Sequence, residues 1–357
     1  MLGFHIFAGS DQAKYQTGDP RWLVEYDESL APPTDITISP AEGDIYAALA
    51  AAEEGVKKVG NITINLTEGA AYTVSAPIVA PACLIINGNN ATIDASAVDA
   101  ALFQLSTTPS VEAVNDYFRV ENMKIANVTI TGVKHNIIYD NNTKYCVVDL
   151  TIENALIGLA TESVSNDALI AFQAGGVKDV NIKNSTVYGN AVAKYFIRYN
   201  NSARLDRYGF DKETEFMTMN YQSNTFYKVI AADGQWANYS AVGGQNYVKF
   251  DIQKNIWVDC AGDVIRRLAG GRFGGSAPKT FAYNTYFKDG EDLSASEASY
   301  DNSETILTTN PGFKDADNAD FALAAQSDQA KNQTGDRAGA PTRHLPSMWW
   351  LRTVRSL

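Results

Sequence analysis

Histidine and cysteine are scarce in this 357-residue chain, with three of each. His5 and His344 lie near the ends, so any mechanism built on a histidine base or a histidine-rich metal site has His135 alone. That disfavours nucleophilic triads and zinc hydrolases, which need several such groups together. Cys83, Cys146 and Cys260 are odd in number and widely spaced, which fits small buried hydrophobes better than a disulfide framework or a metal site. Long apolar runs are also missing: Ile45–Ala52 falls far short of the roughly 20 residues a membrane-spanning helix needs. Basic residues are outnumbered, 29 against 41 acids, for a net charge of −12. A nucleic-acid partner would demand a basic stripe, so none is expected. What is present, 45% hydrophobic and 20% charged residues, describes a globular chain with a large core.

The two ends carry a repeat. Ser10–Asp19 reads SDQAKYQTGD and Ser327–Asp336 reads SDQAKNQTGD, nine identities in ten. Residues 1–22 are therefore expected to be the closing segment of a preceding, similar module, and 23–336 one domain of a tandem protein. After Asp336 the copies part abruptly. Losing one C from codons for Asp-Pro-Arg-Trp (GAC CCG CGC TGG) yields Asp-Arg-Ala-Gly, the sequence found at 336–339. Residues 337–357 are read as a non-native or frameshifted tail and set aside. Removing its four Arg from the 29 basic residues leaves 25 against 41 acids, a charge of −16.

Within the domain, DIYAALAAAEEG (44–55) carries strong helix formers and a glycine stop, which predicts a helix. Short strand signals follow at Asn61–Leu66, Tyr72–Val74 and Leu84–Asp94. A repeat then runs on, with Asn127, Asn154, Asn184, Asn224, Asn255 and Asn284 each between a short strand and another apolar pair, at spacings of 27, 30, 40, 31 and 29 residues. That period fits one turn of a parallel β-solenoid. Asn tolerates the left-handed bend such a turn requires, and stacked Asn amides can bond from turn to turn, so the six are expected to form one ladder. The longest interval contains a polar stretch from Asn200 to Glu215, expected to project as a loop and wall a groove. Asn310–Phe313 (NPGF) and Asp320–Leu323 are expected to be closing strands.

The order of helix, ThrIleAsnLeu, Gly-x-x-Tyr and IleIleAsnGly resembles the opening of pectin-lyase-like right-handed parallel β-helices. The Asn-x-apolar repeats, the NPGF element and the TGDPRW-type terminus resemble the β-helical domains of gut Bacteroidota polysaccharide-utilisation proteins. The chain also resembles the β-helical xylan-binding modules of bacterial xylanases. The resemblance implies an all-β, single-stranded right-handed parallel β-helix with an N-terminal capping helix. It also implies a polysaccharide context, in a secreted or cell-surface multi-module protein. It leaves activity open, because this fold hosts lyases, glycosidases, esterases and binding proteins.

Several readings of function compete. A β-helical glycosidase needs paired carboxylates, and the Asp-Asp and Gly-His-Gly of polygalacturonases are absent. Asp149, Asp179 and Asp251 precede repeat asparagines and could line one face, as carboxylates or as a solvated ladder. A lyase acting on a uronate chain would use Arg or Lys near Ca²⁺, with Arg198, Arg266 and Lys228 as candidates and Arg272 nearby. The Arg-x-Pro-x-x-Arg and Trp-x-Asp-His signatures of pectate lyases are missing. The same arginines also read as structural, pairing with Asp or with backbone carbonyls between turns. A binding module needs only exposed aromatics and a few polar groups for a sugar's apolar face and hydroxyl rim. For this the sequence offers Trp236 and Tyr239 with Asp233 in a Gly-rich stretch read as a loop, Tyr139 and Tyr199 from matching positions in two passes, and Arg198 and Arg266, while Trp257, at the place of Phe226, Thr186 and Tyr286, is read as core. The sequence is therefore read as a non-catalytic carbohydrate-binding module for a plant cell-wall polysaccharide, xylan foremost, with no resident metal or cofactor. It is expected to act as a monomer when isolated, with neighbouring modules of the parent chain as partners. A lyase, with Ca²⁺ if one is bound, is the alternative, and a ligand-free structural solenoid the third reading.

Overall fold

The computed structural model describes residues 31–140, 144–160, 168–172, 175–189, 193–199, 202–211, 214–239, 248–260, 279–293, 301–303 and 307–334. Sixteen strands form one sheet and six another. Parallel neighbours cannot be joined by a tight hairpin, and each pair needs a crossover. From Leu84 to Gln253 the crossover between successive main strands of the large sheet includes a strand of the small sheet. The chain runs from Leu84–Asp94 in the large sheet to Phe103–Leu105 in the small one. It returns to Tyr117–Val133, then crosses to Ile138–Asp140. The alternation continues through Tyr145–Leu159, Ala168–Phe172, Gly176–Lys183, Ala193–Tyr199, Met217–Gln222 and Ile230–Tyr239. In each sheet the main run of strands lies side by side in sequence order. The domain is therefore mostly β, with long parallel sheets.

Because each strand pairs in parallel with the next pass, equivalent residues stack into files. One file runs Ile38, Ile64, Ile86, Ile125, Ile152, Ile182, Tyr221, Ile252 and Phe281. All nine are buried. Each aliphatic member contributes about 1.5–3 kcal/mol by leaving water. A second file passes from Tyr72 through Ile93, Ile130, Ile157 and Val187 to Phe226, Trp257 and Tyr286. Its last three rings stack, Phe226 on Trp257 at 5.6 Å and Trp257 on Tyr286 at 5.5 Å. Trp257 is thus core, in line with Phe226 and Tyr286 as expected, but its partner two passes back is Val187 rather than Thr186.

The same one-residue offset divides the repeat asparagines. Asn127, Asn154 and Asn184 occupy the left-handed bend, with φ of 54°, 49° and 47°. In the later passes that bend is held by Ser223, Lys254 and Tyr283. Asn224, Asn255 and Asn284 sit one residue further on, fully buried. There the ladder forms. Asn224 donates to Asn255 Oδ1 from its side-chain amide (2.9 Å) and its backbone N–H (3.0 Å), and Asn255 bonds likewise to Asn284. Asn284 donates in turn to the buried carboxylate of Asp301, and Ser185 N–H donates to Asn224 Oδ1 at the other end. The expected ladder of six is therefore three asparagines long, closed by Asp301. The other three serve the bend, linked only by Asn154 Nδ2 donating to Asn127 Oδ1.

The helix Ile45–Glu53 lies at the start of the stack beside strand Thr34–Ile38. Asp44 caps it by accepting from Tyr46 N–H at 3.0 Å, and Ile45 and Leu49 join the core. The segment from Ser202 does not project as expected. Its 3₁₀ helix Ser202–Tyr208 packs on the strands of the large sheet and buries Leu205, Tyr208 and Phe210. Arg119 lies 3.9 Å over the Phe210 ring. Polar composition hid three apolar residues that need cover. Asn310–Phe313 is not a strand either. Asn310 Oδ1 accepts from Gly312 N–H, a turn that sets Phe313 and Phe321 against Tyr227. A short helix, Asp328–Thr334, follows.

Candidate functional site

In the small sheet Val79, Gln104, Tyr139, Ala171 and Arg198 are successive register partners on the outward side of their strands, though Ala171 itself is fully covered. Alternation along each strand puts them there, since their neighbours Ile78, Ala80, Phe103, Leu105, Ile138 and Ile197 are buried. Adjacent strands stand about 4.8 Å apart, so Tyr139 and Arg198 are about 10 Å apart across Ala171. Both are half-buried. The file sets an alanine, its smallest side chain, between a phenol ring and a guanidinium. Tyr139 and Arg198 thus stand on either side of a covered Ala171 and set a ring face, a planar fork of donors and the amide of Gln104 along one line.

Tyr139 and Arg198 are the two sequence candidates that the fold brings into one file. Tyr199 was expected to match Tyr139, but its partners are Phe172 and Tyr239, and through Phe172 it aligns with Asp140. It is 1% exposed and cannot serve as a platform. Trp236 is likewise corrected. It is 1% exposed, stacked on Phe196 at 4.2 Å and 9°, and edge-on to Phe226 at 4.7 Å. The glycine-rich context that reads as a loop is in fact strand Ile230–Tyr239, and the indole is needed to fill the space beside Phe226 and Trp257. Asp233 and Tyr239 lie on that same strand with side chains outside the described residues, as Arg266 and Arg272 are altogether. Gln104 and Ala171 were missed. The shared pattern of ALFQL, NIIYD, ALIAF and YFIRY, two buried apolar residues and then an outward one, would have found them.

Lys228 is elsewhere. It sits in a left-handed turn two residues before Ile230, whose register partner Ala193 is five residues, about 16 Å along the strand, from Arg198. Its ammonium lies 4.7 Å from the Tyr227 ring and 4.0 Å from Asp317. Hydrogen bonding with Tyr227 holds its pKa above the ordinary lysine range, the opposite of what a proton-abstracting lysine needs. Arg198 and Lys228, two candidates of the lyase alternative, therefore stand apart.

The acidic candidates are tied up. Asp149 and Asp179 are register neighbours on the large sheet, while Asp251 belongs to the adjoining file with Asn181 and Asn220. Asp149 accepts from Thr151 (2.7 Å) and Asn181 (3.2 Å), Asp179 pairs with Lys178 at 2.8 Å, and Asp251 accepts from Gln253. They form a hydrogen-bonded polar face. His135 meets Asp99 at 3.3 Å. Among the described residues no group of three or more His, Cys, Asp or Glu is placed to hold a metal ion, and no helix is long and apolar enough to cross a membrane.

Residues 59–190 match the family model of a domain of unknown function, DUF4957. The match takes in Gln104, Tyr139 and Ala171 and stops short of Arg198 and of the buried asparagine ladder. No curated protein matches the chain.

Proposed function

We propose that the domain is a non-catalytic carbohydrate-binding module, folded as a right-handed parallel β-helix. Its ligand is a plant cell-wall polysaccharide, xylan foremost, and its setting a secreted or surface-attached multi-module glycan-degrading protein. Passes that return to the large sheet through the small one from Leu84 to Tyr239, paired in parallel, support the winding, and crossovers between parallel strands are right-handed in about 98% of cases. The observation that carries the function is the outward file in which Tyr139 and Arg198 flank Ala171. A sugar ring lays its CH face on the phenol, and the guanidinium bonds hydroxyls on a neighbouring sugar. The file runs along the stack, so an extended glycan meets successive side chains at about 4.8 Å intervals. The net negative charge favours a neutral glycan over a polyuronate.

Affinity electrophoresis in gels holding xylan or pectin tests this, alongside ultraviolet absorbance for unsaturated uronate. Retardation by xylan that Tyr139→Ala and Arg198→Ala each weaken, with unchanged circular dichroism and no absorbance, is the expected result. A growing uronate absorbance refutes the non-catalytic reading. Absence of retardation in every glycan leaves a structural solenoid in its place.

A further inference from the structure

The repeated segment has a described docking site at one of its two copies. Helix Asp328–Thr334 lies against the bend at Ser223–Thr225. Ser223 Oγ donates to Gln333 O at 3.2 Å, and Gln333 Nε2 donates to Asn224 O (3.4 Å) and Thr225 Oγ1 (3.3 Å). One turn earlier Gln329, 5% exposed, donates to Thr309 O (3.4 Å) and Thr309 Oγ1 (3.2 Å). Ser327 Oγ accepts from Ala330 N–H at 3.1 Å and starts the helix, and Lys331 pairs with Asp328 at 3.1 Å. The two glutamines are i and i+4, which puts them on one helix face. The segment is a strap, fastened to the solenoid by two amides.

Every strap residue in that account recurs near the N-terminus. Ser327, Asp328, Gln329, Ala330, Lys331 and Gln333 are reproduced as Ser10, Asp11, Gln12, Ala13, Lys14 and Gln16. The single difference, Tyr15 for Asn332, falls on a half-buried position that carries none of these contacts. The described residues hold one such site, whereas the sequence holds two copies of its occupant. We propose that residues 10–17 are a strap for a second unit of this same construction, fastened by Gln12 and Gln16 to the partner's counterparts of Thr309 and Thr225. The partner is thus another domain of this fold, joined head to tail. This does not rest on glycan binding, and a chain that binds no polysaccharide would still carry the strap.

Asn332→Tyr makes the C-terminal strap identical to the N-terminal copy over all ten residues. Its melting temperature should equal the wild type's, whereas Gln333→Ala should melt about 2–4 °C lower. A fall with Asn332→Tyr as large as that with Gln333→Ala means that the N-terminal sequence does not fit the site. The second arm uses the full chain with Gln12, Gln16, Gln329 and Gln333 all changed to Ala, and a fluorescent peptide of residues 10–19. The peptide should bind this chain at least tenfold more tightly than it binds wild type, whose own strap fills the site. A peptide with Ala in place of Gln12 and Gln16 should not bind. No binding by the native peptide, or equal binding by the Ala peptide, overturns the proposal.

Discussion

Removing the middle rung of the buried asparagine ladder should destabilise the domain far more than removing a repeat asparagine from the bend. Asn255 Oδ1 accepts two hydrogen bonds, from Asn224 N–H and Asn224 Nδ2, and its own amide donates to Tyr221 O and Asn284 Oδ1. Asn255→Gly deletes the acceptor and strands two buried donors. At about 1–3 kcal/mol each, the loss is about 2–6 kcal/mol. Asn127 differs in kind. Its φ is 54°, which glycine adopts without penalty, and it gives up one hydrogen bond, from Asn154, at an exposed position. Asn127→Gly should therefore stay within about 0.5 kcal/mol of wild type. Urea unfolding followed by far-ultraviolet circular dichroism measures both, and hydrogen exchange at the Asn224 amide reads the lost acceptor directly. Equal costs for the two glycine variants, or an Asn224 amide as protected in Asn255→Gly as in wild type, would refute the division of the asparagines into bend and ladder.

Three further outcomes follow from the packing and the outward file. Trp236→Ala should cost about 3–5 kcal/mol in the same unfolding measurement, because it empties the space between Phe196, Phe226 and Trp257. Any loss of glycan binding in that variant should track unfolding rather than a missing platform. The Cys260 thiol, buried against Phe226 O and Val258 O, has its pKa pushed up to about 12 by burial. It should resist alkylation at pH 8 until denaturant is added. Its raised folded pKa contributes stability that is whole below the unfolded thiol's value, near 8.5, and lost as pH climbs from there towards 12. Cys260→Ala should flatten that part of the pH–stability curve. Arg198→Lys should weaken glycan retardation nearly as much as Arg198→Ala, since a point charge does not replace a planar fork.

The parallel pairing of strands was legible because its period is written in the chain: an asparagine about every 30 residues, with apolar pairs on both sides. The register was not. Asparagine suits two adjacent positions for different reasons, tolerance of positive φ at the bend and a donor-plus-acceptor amide in the ladder. Aligning Asn184 with Asn224 slipped the passes by one residue, and a slip of one exchanges inside for outside. Aligning Tyr139 with Tyr199 rather than with Arg198 was the same slip on the small sheet. Trp236 was illegible for another reason. Gly, Ala and Asn around an indole describe a loop by composition, yet here they are the small residues of a strand that make room for it beside Phe196. Leu205, Tyr208 and Phe210 were hidden in the same way by the charged residues among them.

Asp301 gives the ladder a direction and an end. An asparagine side chain both donates and accepts, so each rung can hand the pattern to the next, and nothing in the chemistry limits how many follow. A carboxylate only accepts. Once Asn284 N–H, the Asn284 amide and the Tyr286 hydroxyl have converged on Asp301 Oδ2, no donor remains on that side chain to pass onward. One oxygen in place of one NH₂ thus acts as a stop codon for the stack. Lengthening the stack of parallel strands by inserting passes should succeed upstream of Asp301, where amides can be threaded in, and fail beyond it.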